Sequence, residues 1–285
     1  MDATILEPAP YGGLAKSKGR PVRALSPQKE MSVTSLEGRH ALVTGGGRGI
    51  GRAIAAALTN AGATVTVTGR NCQALEQAVA EGAARSLAVA DVSDAEAVQS
   101  AVQGAVERHG PVDLLIANAG SAVSAPFGKS GPDLFRQMLD VNLLGVTNFA
   151  QAVLSPMSER GFGRIVAVAS TAGLKGYPYV SAYCASKHAV VGFVRALALE
   201  TAKSGVTVNA VCPGFADTDL VAESLERIMA KTGRTREEAL SEFVKHNPQG
   251  RLIDPAEVAD AVLWLCGEQA RSVTGQSIVV AGGEL

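Results

Sequence analysis

The stretch His40-Ala41-Leu42-Val43-Thr44-Gly45-Gly46-Gly47-Arg48-Gly49-Ile50-Gly51 decides how this chain is read. Its mostly apolar opening predicts a strand, its glycines a tight turn, and the continuation Ile50-Gly51-Arg52-Ala53-Ile54-Ala55-Ala56-Ala57-Leu58 a helix. A second strand pattern follows near residues 63–68. In that order the glycines have a use, because Gly45 and Gly49 can take backbone angles or close approaches that a Cβ would block. The free amides and positive end of the following helix can then face a pyrophosphate. A triphosphate-binding loop is the rival reading of such a run, but no Lys-Ser or Lys-Thr pair follows the glycines.

Outward from this stretch, short apolar runs alternate with amphipathic or Ala-rich segments. Strands are predicted near residues 40–44, 63–68, 86–90, 113–118, 164–169, 206–211 and 276–280, with helices between them. The alternation predicts one doubly wound α/β domain of Rossmann type over residues 37–285, a seven-stranded parallel sheet with helices on both faces. Capping boxes mark helix starts at Ser93-Asp94-Ala95-Glu96, Thr235-Arg236-Glu237-Glu238 and Asp254-Pro255-Ala256-Glu257. Residues 217–249 break the alternation as a charged helical insertion. Leu220, Val221, Leu225, Ile228 and Met229 recur there at near-helical spacing, which predicts a lid with an apolar face toward a ligand. Residues 1–36, rich in Pro and Gly and locally basic through Lys16, Lys18, Arg20, Arg23 and Lys29, predict a disordered tail.

With 285 residues, 47% of them hydrophobic and 19% charged, the chain can bury one large core. A formal net charge of -1 offers no electrostatic ground for nucleic acid or a membrane surface as partner. Cys72, Cys184, Cys212 and Cys266 lie far apart without metal-ligand spacing, which predicts reduced, mostly buried thiols and a cytoplasmic setting. No apolar run is long enough to span a bilayer, and the N-terminus lacks the apolar core of a signal peptide. His40, His109, His188 and His246 are scattered, so neither a metal site nor a histidine triad is supported.

In the second half, Tyr183-Cys184-Ala185-Ser186-Lys187 sets a phenol and an ammonium at i and i+4 on one helix face. A tyrosine with an ordinary pKa of about 10 exchanges protons poorly near neutrality, and a nearby cation favours its phenolate. With these residues in place the chain resembles the short-chain dehydrogenase/reductases from residue 36 to 285. Thr44-Gly45 through Arg48, Gly49, Ile50 and Gly51 is similar to the family's cofactor turn. Asp91-Val92 is similar to its adenine contact, and Asn118-Ala119-Gly120 to its sheet-stabilising turn, although Ala117 stands where many members carry Asn. Val141-Asn142-Leu143-Leu144-Gly145 resembles the segment bearing the proton-relay Asn, and Ser170 precedes Tyr183 by thirteen residues, as in the family's Ser-Tyr-Lys set. Pro213-Gly214 and Thr218 match the loop that meets the nicotinamide amide and phosphates.

The resemblance implies that Ser170 binds a substrate carbonyl, Tyr183 donates the proton, and Lys187 lowers the Tyr183 pKa while holding the nicotinamide ribose. Asn142 would carry the water that refills the proton. At the end of the second strand, where an acid would read an unphosphorylated ribose, Thr68-Gly69-Arg70-Asn71 offers a guanidinium, and Arg48 is a second. That charge favours NADP over NAD. The expected activity is NADPH-dependent reduction of a ketone, a 3-oxoacyl thioester or a related one. The alternatives are an NAD-dependent secondary-alcohol or sugar dehydrogenase and a catalytically idle cofactor-binding protein. The resemblance also implies a homo-oligomer, a tetramer. The two carrier-protein docking arginines of the fatty-acid branch fall on Gly161 and Ser204, with Arg160 and Lys203 beside them. CoA thioesters and free ketones therefore stay open as substrates.

Overall fold

The computed structural model describes residues 34–285, the side chain of Leu220 excepted; most of the predicted tail, including its basic residues, lies outside the described part. The elements follow in the order β1 (His40–Thr44), α1 (Gly49–Asn60), β2 (Thr64–Gly69), α2 (Cys72–Ala80), β3 (Ser86–Val89), α3 (Ala95–His109), β4 (Leu114–Ala117) and α4 (Pro132–Leu139). A π-turn (Asp140–Leu144) leads into α5 (Gly145–Glu159), then β5 (Gly163–Val168), α6 (Ser181–Thr201), β6 (Val206–Pro213), α7 (Asp219–Thr232), α8 (Arg236–Val244), α9 (Pro255–Cys266) and β7 (Ser277–Val280). All seven strands pair in parallel in the order β3-β2-β1-β4-β5-β6-β7.

The strand residues explain why the sheet is covered on both sides. Successive side chains point to opposite faces, and in β1 all five residues are buried. Leu42, Leu115 and Ile165 join a core with α3, α5 and α6, including the fully buried Phe149. Their neighbours Ala41, Val43, Leu114, Ile116 and Val166 join a second core with α1, α2 and α9. Each large side chain so buried stabilises the fold by about 1.5–3 kcal/mol.

Topology then places the functional crevice. From β1 the chain winds outward through β2 to β3 and returns to lay β4 on the other side of β1. The loops leaving β1 and β4 diverge at that reversal, and a ligand cleft opens at their carboxyl ends.

Local signals hold with one change. Thr235 and Asp254 form the predicted capping boxes of α8 and α9. At α3 the cap is Asp94 instead of Ser93, because the backbone amide and hydroxyl of Ser93 both bond Asp91 Oδ1, at 2.9 and 2.7 Å. The 217–249 insertion is α7 and α8. Its base is pinned where Asp217 N donates to Ile253 O (2.9 Å) and Ile253 N to Phe215 O (2.9 Å). Val221 and Leu225 of α7 pack with Ala239 of α8 in a small separate core, so much of the apolar face predicted to meet a ligand meets α8. No helix among the described residues is long and apolar enough to cross a membrane.

Candidate active site

A cleft of about 980 Å³ runs across the carboxyl ends of the strands. Every residue predicted to hold cofactor or substrate lines it except Thr44 and Asn142, which are buried beneath its floor.

The glycine turn is built for close approach. Gly45 has φ +66°, and a Cβ on it would lie 2.9 Å from Asn118 Nδ2 and 3.0 Å from Ala119 Cα. A Cβ on Gly51 would lie 2.2 Å from Gly45 O. Thr44 Oγ1 accepts from the amides of Asn118 (2.9 Å) and Ala119 (2.8 Å), and Asn118 Nδ2 donates to Thr44 O at 2.9 Å. The exits of β1 and β4 are thereby locked together. α1 starts at Gly49 with no side-chain cap and no acid in its first turn, so its amides and positive end face the cleft. Amides, glycines and dipole together fit a pyrophosphate.

At the end of β2 and β3, Ser93 donates two hydrogen bonds to Asp91, and these hold its carboxyl below the usual range. Asn71 Oδ1 accepts from Ala74 N at 3.1 Å and caps α2. Val92 O accepts from Asn148 Nδ2 at 2.9 Å. Both arginines expected to read a phosphate face carboxylates: Arg70 Nη1 lies 3.6 Å from Asp91, and Arg48 Nη1 lies 3.4 Å from Glu223 and 3.8 Å from Asp219 on α7. Such exposed pairs are worth at most about 1 kcal/mol, so an incoming anion exchanges with them cheaply.

At the carboxyl end of β5, Ser170 Oγ accepts from Ala172 N (3.1 Å) and is hydrogen-bonded to Tyr183. Lys187, one helical turn beyond Tyr183, is buried and donates to Val168 O at 2.9 Å. Burial lowers its pKa to about 8. Burial also raises the Tyr183 phenol, and the bond with Ser170 opposes that rise. The Lys187 ammonium is aimed at the β5 carbonyl and lies 5.8 Å from the Tyr183 ring centre. Asn142, in the π-turn and fully buried, accepts from Ser121 N (2.9 Å) and donates to Ser121 O (3.0 Å) and Ser186 Oγ (2.9 Å). Asn142 Oδ1 and Lys187 Nζ meet at Gly120, 3.0 and 3.5 Å from where a Cβ would be. Pro213, Gly214 and Thr218 complete the rim before α7.

Several cleft residues carry no signal in the sequence. Tyr177, Phe215, Phe243 and His246 all line it, brought together from three separate loops and α8. Ser121 and Ser186 adjoin motif residues, and only their bonds to Asn142 reveal them. Arg160, beside a carrier-docking position, donates to Val112 O at 2.7 Å on the amino-end side of the sheet, away from the cleft.

The sequence profile of the short chain dehydrogenases matches residues 39–228. A Streptomyces coelicolor protein with an unproven assignment as a ketoacyl reductase is 41% identical over 85% of this chain and 95% of its own. An acetoacetyl-CoA reductase of Shinella zoogloeoides is 38% identical over 86% of this chain and 98% of its own. A variant of actinorhodin polyketide ketoreductase, solved with NADPH, superposes with a TM-score of 0.82 at 38% identity, covering 86% of this chain and 97% of that one.

Proposed function

The chain belongs to the short-chain dehydrogenase family and is an oxidoreductase acting on CH-OH groups, and from that premise we propose that it reduces a ketone, a 3-oxoacyl thioester or a close relative, with NADPH. The observation that carries this reading is the meeting of Ser170, Tyr183 and Lys187 beside a glycine cradle fit for a dinucleotide. A bound nicotinamide cofactor supplies the hydride.

The chain's own residues do the rest. The glycine turn and α1 bind the pyrophosphate, and Asp91 and Val92 border the adenine. Arg70 and Arg48 trade their carboxylate partners for a 2′-phosphate, and no acid at the end of β2 repels it. Pro213, Gly214 and Thr218 hold the nicotinamide end. Val168 takes one of the three N–H groups of Lys187, so the buried ammonium would use its remaining donors to hold the ribose of a bound cofactor. Ser170 donates to the substrate oxygen, and Tyr183, kept protonated by burial, passes its proton to that oxygen as the carbonyl becomes an alcohol. Lys187 and a water held at Asn142 return the proton; Asn142 Oδ1 and Lys187 Nζ both lie beside Gly120. α7 acts as the lid: Val221 and Ile228 border the cleft while packing into the small core shared with α8, and Arg48 latches α7 to the glycine turn. The resemblance to the family supports a homo-oligomer, which we assign as a tetramer.

The test is NADPH oxidation against acetoacetyl thioesters, cyclic ketones and sugars, with Tyr183→Phe alongside. Loss of the general acid lowers turnover by about a hundredfold or more while NADPH binding holds within a few-fold. A Phe variant that turns over like wild type removes Tyr183 from the chemistry.

A further inference from the structure

The next-to-last residue carries a carboxylate that has no place in the chemistry above. Glu284 is a terminal residue by sequence, yet its side chain is only 2% exposed. Gly282 (φ +61°) and Gly283 (φ +93°) turn the chain inward, and a Cβ on Gly282 would collide with the Asn247 side chain. A carboxylate so buried must be compensated. Tyr177 Oη donates to Oε1 at 2.5 Å, Lys175 Nζ lies 3.0 Å from the same oxygen, and His246 Nδ1 lies 4.0 Å away. Tyr177 Oη is also 2.7 Å from Thr171 Oγ1, the residue directly after Ser170. On its other side the carboxylate abuts the nicotinamide loop, since a Cβ on Gly214 would lie 3.2 Å from Oε2.

The side chains held this way form a wall of the cleft. The Tyr177 ring packs edge-on against Phe215 (5.9 Å between centres) and His246 (5.7 Å), and Phe215 packs against Phe243 (5.0 Å). A phenol bonded at its tip to a fixed carboxylate has one orientation, and the rings packed on it inherit that restraint.

We propose that Glu284 is a positioning residue for the ketone site: its carboxylate ties Tyr177, and through Thr171 the turn that begins at Ser170, to the Phe215 loop, and so sets the shape of the wall against which the substrate lies. This rests on the reading of the cleft as a ketone reductase site.

The test uses the full chain with Glu284→Ala, Glu284→Gln and Tyr177→Phe. Losing a hydrogen bond to a charged group raises the ketone KM about tenfold, with NADPH KM within about twofold and kcat changed less than KM. Glu284→Gln, which still accepts from Tyr177, recovers most of that loss. In the Tyr177→Phe background Glu284→Ala adds little further, because the two act through one bond. Hydrogen exchange is read in parallel: Glu284→Ala speeds exchange in residues 171–177 and 243–247 and leaves the glycine turn unchanged. An unmoved ketone KM, equal rises in both KM values, or unchanged exchange in those segments overturns the proposal. Absence of ketone turnover by the wild-type enzyme overturns the reductase reading instead, and the exchange experiment still reads the role of Glu284.

Discussion

Replacing Lys187 with methionine is expected to stabilise the fold while removing turnover. Burial takes the Lys187 ammonium from 10.5 down to about 8, a difference of about 3 kcal/mol against the charged form in the folded chain. That cost is fully present below pH 8. Between about pH 8 and 10.5 the unfolded chain binds more proton than the folded one, so wild-type stability rises with pH across that window. A methionine of similar length has no charge to bury, but it leaves Val168 O without the 2.9 Å bond from Nζ, a loss of about 1 kcal/mol. The net gain at pH 7 is therefore about 2 kcal/mol, or about 5 °C in melting temperature for a chain of this size. It should shrink to nothing by about pH 10, where the wild-type amine is neutral in the fold. Urea unfolding of nucleotide-free wild type and variant, at matched protein concentration and at pH 7 and pH 10, measures both numbers. A variant no more stable than wild type at pH 7, or one whose advantage is as large at pH 10, would refute the view that Lys187 is held at the expense of stability.

Gly51→Ala places a methyl 2.2 Å from Gly45 O, so it should cost about 1–3 kcal/mol of stability and weaken NADPH binding at least about tenfold; unchanged calorimetric affinity would show that the turn is not the cradle. Arg70→Asp should lower the ratio of catalytic efficiencies for NADPH over NADH by about tenfold or more, and an unchanged ratio would pass the phosphate to Arg48. Amides of α7 should exchange more slowly with NADPH and ketone bound than without, as expected of a lid latched by Arg48. Equal, strong protection in both states would make α7 fixed scaffold.

What the sequence determined by itself is what short-range pattern encodes. The central strands β1, β4, β5 and β6 are legible because each is buried between two helical layers and is mostly apolar, and the order of all seven with intervening helices dictates the winding. The glycine turn is legible because Gly45 and Gly51 answer steric demands within a few residues, and Tyr183 and Lys187 because one helix sets their spacing. Tertiary structure decided what depends on where a side chain points and on partners distant in the chain. The direction of Lys187 toward Val168, the pairing of Arg48 with Glu223, and the apolar face of α7 meeting α8 could not be read from periodicity, which specifies a face and not its neighbour. The contact of Glu284 with Tyr177 spans 107 positions and involves two residue types common on any surface. Only the turn at Gly282, closing the chain's end onto the cleft, gives that carboxylate a buried partner, and burial is what makes the pairing consequential.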